Sequence, residues 1–189
     1  MQPRLLLILS LALISVSSTA LVIRYVVAVP ALTLAFWRML TASGMLWSYE
    51  LIKKQKPISY INKKRIVFAG FFLGLHFVCF FLGVRHTSIA NATLLATLGP
   101  LFTSIISFFQ GKRTSPIVYL GLGIALTGII IIQYKDLSLS PENFLGNSLS
   151  LLSSLFIAIT FTTASKIRKD TDNIVYGRSL FFVASITIG

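Results

Sequence analysis

The chain has 189 residues, of which 55% are hydrophobic and only 12% charged, and its mean hydropathy is +0.84. These values exclude an ordinary soluble domain. A net charge of +12 would point to nucleic acid in a soluble protein, but here the basic residues sit in short runs between apolar segments, where they act as topology signals and imply no nucleic-acid partner. The single cysteine, Cys79, cannot form an intrachain disulfide.

In chain order, residues 5–23 form a first apolar span. Arg4 before that run, with Ser18-Thr19-Ala20 after it, is also the pattern of a removable secretory leader. The second span runs from about Ala31 to Ile52, entered through Val29-Pro30 and followed by a basic loop over 53–65 that contains Pro57. A third span covers roughly 66–84, and a tight turn at Arg85-His86 leads to a fourth over 87–110. The loop 111–116 ends in Pro116, which suits the first turn of a helix. A fifth span reaches about Tyr134, a polar, turn-rich stretch follows, and a sixth span occupies about 145–165. After the basic loop 166–172, a seventh apolar segment begins at Asn173. Each is close to the ~20 residues that a helix needs to cross the hydrocarbon core. The expected fold class is therefore all-α, a polytopic membrane protein with seven transmembrane helices in this chain.

The fourth span is uncharged but not uniformly apolar. Thr93, Thr97, Pro100, Ser104 and Ser107 step by four, three, four and three, which places them on one face of a continuous helix. Such a seam either packs against small-residue partners or borders a wet cavity. Pro100 favours the second reading, because it removes a backbone donor and leaves the carbonyl near Ala96 in need of another partner.

Lysine and arginine orient the spans. With a cytoplasmic amino terminus, twelve lie on the inner side, three (Arg24, Arg85, Lys135) on the outer side, and two, Arg38 and Arg178, inside spans. That bias places the chain in the cell (inner) membrane with its amino terminus in the cytoplasm. An internal repeat is visible as well. Thr19-Ala20-Leu21-Val22-Ile23-Arg24 returns as Thr163-Ala164-Ser165-Lys166-Ile167-Arg168 at an offset of 144, and Trp37-Arg38-Met39-Leu40 returns as Gly177-Arg178-Ser179-Leu180 at an offset of 140. Five spans per copy is an odd number, so the second copy enters the membrane from the opposite face, as in many secondary transporters. The expected organisation is a first repeat over 1–137 and the start of a second over 138–189. Two full copies would need about 280–290 residues, which predicts a carboxy-terminal truncation of a ten-helix chain.

Gly74-Leu75-His76-Phe77-Val78-Cys79-Phe80-Phe81, Thr87-Ser88-Ile89-Ala90-Asn91-Ala92-Thr93-Leu94-Leu95 and Pro100-Leu101-Phe102 resemble the third and fourth helices of EamA-type permeases of the drug/metabolite transporter superfamily. Ala35-Phe36-Trp37-Arg38 and Gly111-Lys112-Arg113 add to the resemblance, which covers the chain from about Leu9 onward. It implies ten helices in two inverted five-helix repeats around a central cavity, lined mainly by the first, third, fourth and corresponding later helices. The chain departs from the family in carrying Lys112 where a glutamate is usual and Phe80 where tryptophan is common.

Candidate cavity residues follow from helix faces. They are Asn91, Thr93, Thr97, Pro100 and Ser104 on the fourth span, and His76 and Phe80, with Gly83, on the third. Ser15 and Ser18, beside Thr19, are the candidates on the first, and Thr160, with Ser153 and Phe156, on the sixth. A lone histidine on an aromatic helix is more often a structural group than a proton carrier. Arg38 and Arg178 are each costly at mid-helix, by about 2.5–3.5 kcal/mol; their equivalent positions favour a structural role over that of an anion-holding group. No aspartate or glutamate lies deep in a span, since Glu50 is near the inner end of its own. A neutral or amphoteric small molecule is thus the expected substrate, moved by alternating access, and the lipid bilayer is the other expected partner. No catalytic, cofactor or metal signature is present, and Gly121-x-Gly123 with Gly128 reads as close helix packing. The alternative is a non-transporting membrane assembly or sensor subunit. Substrate identity, direction, coupling and oligomeric state stay open.

Overall fold

The computed structural model describes residues 3–52, 57–111, 115–133 and 141–189, and these form helices with no strand among them. The helices are α1 (Pro3–Tyr25), α2 (Ala31–Ile52), α3 (Tyr60–His86), α4 (Ile89–Ala96), α5 (Gly99–Phe109), α6 (Pro116–Gln133), α7 (Pro141–Ile167) and α8 (Asn173–Ile188). α4 and α5 together make one apolar span, so eight helices occupy the seven expected segments. α1, α3, α4–α5 and α7 are long and apolar enough to cross a membrane; α6 and α8 supply shorter apolar stretches.

Local signals explain most boundaries. Ser59 caps α3 by accepting from the Asn62 amide, Ser88 caps α4 through the Asn91 amide, and Asp172 caps α8 through the Ile174 amide. Pro116 opens α6, and α5 ends on Gly111 at φ 71°, a left-handed position that favours glycine. Two boundaries differ from expectation. α3 starts at Tyr60, so Lys63, Lys64 and Arg65 lie on its first turns and not in a loop. α7 starts at Pro141, because a proline at the first helical position lets the polar Glu142-Asn143 turn join the helix. Lys112 and the loop 134–140 lie outside the described residues.

α3 is the centre of the packing. It runs antiparallel to α7, with Asn62 against Asp170, Ala69 against Thr160, His76 against Ser153, and Gly83 against Ser150. It runs parallel to α8, where Gly70 faces Val183 and Gly74 faces Thr187. α8 in turn lies antiparallel on α2, tied by a 2.8 Å bond from the Ser43 hydroxyl to the Arg178 carbonyl, and α4 and α5 pack on the other flank of α7. α1 reaches the end of α3 through Arg24, whose guanidinium donates to the Val84 and Arg85 carbonyls; Arg85 reciprocates on Val26 and Val29. These bonds satisfy carbonyls that a helix terminus leaves without partners.

Between helices in lipid there is little hydrophobic driving force, so close approach through small residues carries the packing. A methyl group on Gly83 would overlap the Ser150 hydroxyl, and one on Gly146 would meet the His86 carbonyl carbon. The glycines of α6 differ. A Cβ at Gly121, Gly123 or Gly128 meets nothing within 4 Å, which corrects the expectation that they pack a helix: α6 has no close partner on that face among the described residues. Gly83→Leu should therefore abolish the monodisperse peak on size exclusion in detergent, whereas Gly121→Leu should leave it in place. Equal profiles for the two variants would contradict this packing.

Candidate functional site

At one level of the helix cluster, four helices meet through polar groups. The Arg38 guanidinium on α2 donates to Thr19 Oγ1 on α1 at 3.0 Å, and the Thr19 hydroxyl passes its own proton to the Ser15 carbonyl at 3.2 Å. The guanidinium carbon lies 5.3 Å from the centre of the Phe77 ring on α3, within cation–π range. Next to Phe77, His76 bonds through Nδ1 to the Ser153 carbonyl of α7 at 2.8 Å. A carbonyl only accepts, so Nδ1 carries the proton of this bond, and Nε2 makes none among the described residues. The Phe80 ring stacks parallel to His76, 4° off plane with centroids 6.1 Å apart.

His76 and Gly83 both meet α7, and Phe80 stacks on His76. Thr160 belongs to the same contact but is buried, and its hydroxyl is held between the Phe156 and Ala69 carbonyls. On α1, Ser18 is half-buried and Ser15 exposed, and it is Thr19 that reaches the layer. Asn91 is buried at the capped start of α4.

The seam on the fourth span is not one face. Pro100 has no amide hydrogen, and the Leu101 amide turns to the Leu98 carbonyl, so the helix breaks after Ala96 and restarts at Gly99. Past the break Ser104 is buried, 8% exposed, in the half that packs on α7. Thr97 and Pro100 instead line a cleft of about 280 Å³ against α6, with Leu94, Leu98, Leu122 and Leu126. Thr93 is half-buried, and both threonine hydroxyls donate to carbonyls of their own helix, Thr93 to Ile89 and Thr97 to Leu94. Each keeps only an oxygen acceptor for anything else. Ser104 makes no hydrogen bond among the described residues, so its hydroxyl is uncommitted.

The two arginines expected inside spans have different surroundings. Arg178 on α8 bonds Glu50 of α2 at 2.6 Å, with side chains 13% and 18% exposed, and its guanidinium sits 4.1 Å over Trp47. Sequence reasoning placed Glu50 near the inner end of its span and Arg178 inside its own but did not pair them; Arg178 lies only five residues after Asn173, where its span begins, and that depth was the available signal. Phe77 and Thr19 carried no such signal, since an aromatic beside a histidine and a threonine beside a serine are common in apolar helices.

Seven apolar segments, four of them long and apolar enough to cross a membrane with α4–α5 counted as one, and polar groups linking α1 to α2 and α3 to α7, define a polytopic membrane protein. A family model described as the EamA-like transporter family matches residues 3–134, and the chain belongs to that family. It is similar to the pseudopaline exporter CntI of Pseudomonas aeruginosa strains UCBPP-PA14 and PAO1, at 30% identity over 131 residues in each case. The alignment covers 68% of this chain and 45% of each relative, so the chain spans about half the length of the curated relatives it matches. No solved structure matches it.

The Arg178–Glu50 pair invites a direct test. Removing one partner leaves an uncompensated charge, so Arg178→Gln and Glu50→Gln should each lose on the order of 3 kcal/mol of stability, and the double variant much less than their sum. Thermal unfolding in detergent measures all three. Additive losses would show that the two charges are not coupled.

Proposed function

We propose that this chain acts as a secondary transporter that moves a small neutral or amphoteric metabolite by alternating access, through a cavity bounded by α1, α3, α4–α5 and α7. The observation that carries this reading is the polar layer of Thr19, Arg38, His76 and Ser153, which draws groups from four helices to one depth of a family of transporters. Its aromatic walls, Phe77 and Phe80, suit the apolar part of a metabolite. Membership of a transporter family supports transport as the role of this layer.

The reading takes 1–137 as a first repeat and 138–189 as the start of an inverted second one. The elements that the repeat equates, α1 with α7 and α2 with α8, run in opposite directions, which supports rocking of one half against the other. The basic start of α3 and the 166–172 turn lie at the same end of the bundle, joined by Asn62 to Asp170, which supports a cytoplasmic amino terminus in the inner membrane. Because both curated relatives are exporters, outward movement is the direction we assign.

Export from intact cells over a panel of labelled metabolites, at equal membrane abundance, tests the cavity. Ser104→Trp should reduce export at least about tenfold by filling it, while Ile105→Trp, on a face 41% exposed, should be tolerated. Equal loss in both, or none in either, would favour an assembly or sensor subunit in which the hydroxyls only pack helices. For orientation, Cys79 is first replaced by serine. An impermeant maleimide should then label His86→Cys but not Lys169→Cys in intact cells; the opposite pattern would invert the assignment.

A further inference from the structure

The two arginines occupy equivalent positions in the repeat but differ in one respect, a counter-ion. Arg178 has the Glu50 carboxylate at 2.6 Å. Arg38 has a neutral hydroxyl, Thr19 Oγ1, and the face of Phe77. The chain contains five acidic residues, and the described ones are occupied elsewhere: Glu50 by Arg178, Asp170 by the Asn62 amide, and Asp172 by the start of α8. The remaining two, Asp136 and Glu142, precede or open α7. The α7 residue at the arginine's level is Ser153, and Glu142 lies eleven positions before it, about 16 Å along the helix axis. Among the described residues, no carboxylate is therefore placed to neutralise Arg38.

The guanidinium is also available. Only one of its nitrogens, Nη1, has a protein acceptor among the described residues, and neither Nε nor Nη2 is both sealed off and unpaired, as Nε of Arg178 is. A permanently charged, planar fork with free donors matches the two oxygens of a carboxylate. One fixed positive charge beside the Phe77 ring balances a single negative charge and leaves a dianion uncompensated.

We infer that Arg38 seats a carboxylate of the transported compound, so that the substrate is an amphoteric solute held by its acid end between Thr19 and Phe77. This rests on the transport reading above and narrows it to carboxylate-bearing solutes. Thr19 fixes the guanidinium by one nitrogen and leaves the other two for the solute. His76, tied to Ser153 by Nδ1, offers Nε2 as an acceptor near the same place.

The test does not depend on transport. The protein in phosphatidylcholine nanodiscs is treated with phenylglyoxal, and adducts on each arginine are followed by mass spectrometry, with acetate or L-alanine added and, separately, acetamide or L-alaninamide. Arg38 should react in the absence of additive, and the two carboxylates should slow it about tenfold while their amides do not. Arg178, paired with Glu50, should react slowly throughout. An Arg38 that is unreactive from the start, or equally reactive with carboxylate and amide, would overturn the inference. So would slowing by phosphatidylglycerol in the nanodisc with none by the solutes, since that assigns the site to a lipid headgroup. In cells, Arg38→Gln should lose export of carboxylates while Arg38→Lys keeps part of it. Export that survives Arg38→Gln would sink this inference and leave transport standing; protection of Arg38 with no export of any panel compound would do the reverse.

Discussion

Where α3 and α7 cross antiparallel, glycine, serine and threonine let the two backbones come close enough for side-chain hydroxyls and a ring nitrogen to reach the opposite helix. In hydrocarbon this contact has no water to expel, so its stability comes from dispersion at short range and from polar groups that find partners inside the protein. Those partners are mostly local. Ser150, Ser153, Ser154 and Thr162 each donate to a carbonyl of α7 itself, which lets a helix carry several hydroxyls into a buried face without leaving a donor unpaired. The rest of the bundle is placed relative to this pair: α8 against the other side of α3, α2 against α8, and α4–α5 against α7.

The break in the fourth span follows from the same accounting. A proline at position 100 leaves the Ala96 carbonyl without its usual donor, and the chain responds by shortening its bonds, with Thr97 donating to Thr93 and Leu94, and Leu98 to Leu95. The two half-helices then present different surfaces, one face toward α7 and another toward the cleft with α6. A periodicity argument that assumes an unbroken helix puts Thr97 and Ser104 side by side. The structure separates them because the periodicity restarts at Gly99.

Much of the architecture was legible in the sequence for simple reasons. Apolar runs of membrane length, separated by basic or proline-containing turns, located every span, and the caps at Ser88 and Asp172 mark starts that match their chemistry. The His76 and Phe80 face was legible because α3 is unbroken and helical spacing holds along it. Tertiary partners were not. Nothing in the local pattern says that glycines of α3 pack while those of α6 do not, because that depends on which helix arrives opposite. In the same way, the identity of Thr19 as the contact of Arg38 depends on the rotation of α1, which an almost uniformly apolar helix does not encode.

The arginines show how equivalent positions can acquire different work. α2 and α8 run in opposite directions, so the two residues meet different depths of the helices packed against them. On α8 that depth offers Glu50 and Trp47, near the end of α2, so Arg178 becomes a clamp between α8 and α2. On α2 it offers an aromatic ring and a hydroxyl, so Arg38 keeps its charge. An ion pair at both positions would fasten α2 at each end and leave no charge for a solute; an ion pair at neither would leave two costly charges in the membrane. One closed and one open position combine a fixed helix contact with a charge that has no carboxylate partner among the described residues, and the proposed transport role would use both.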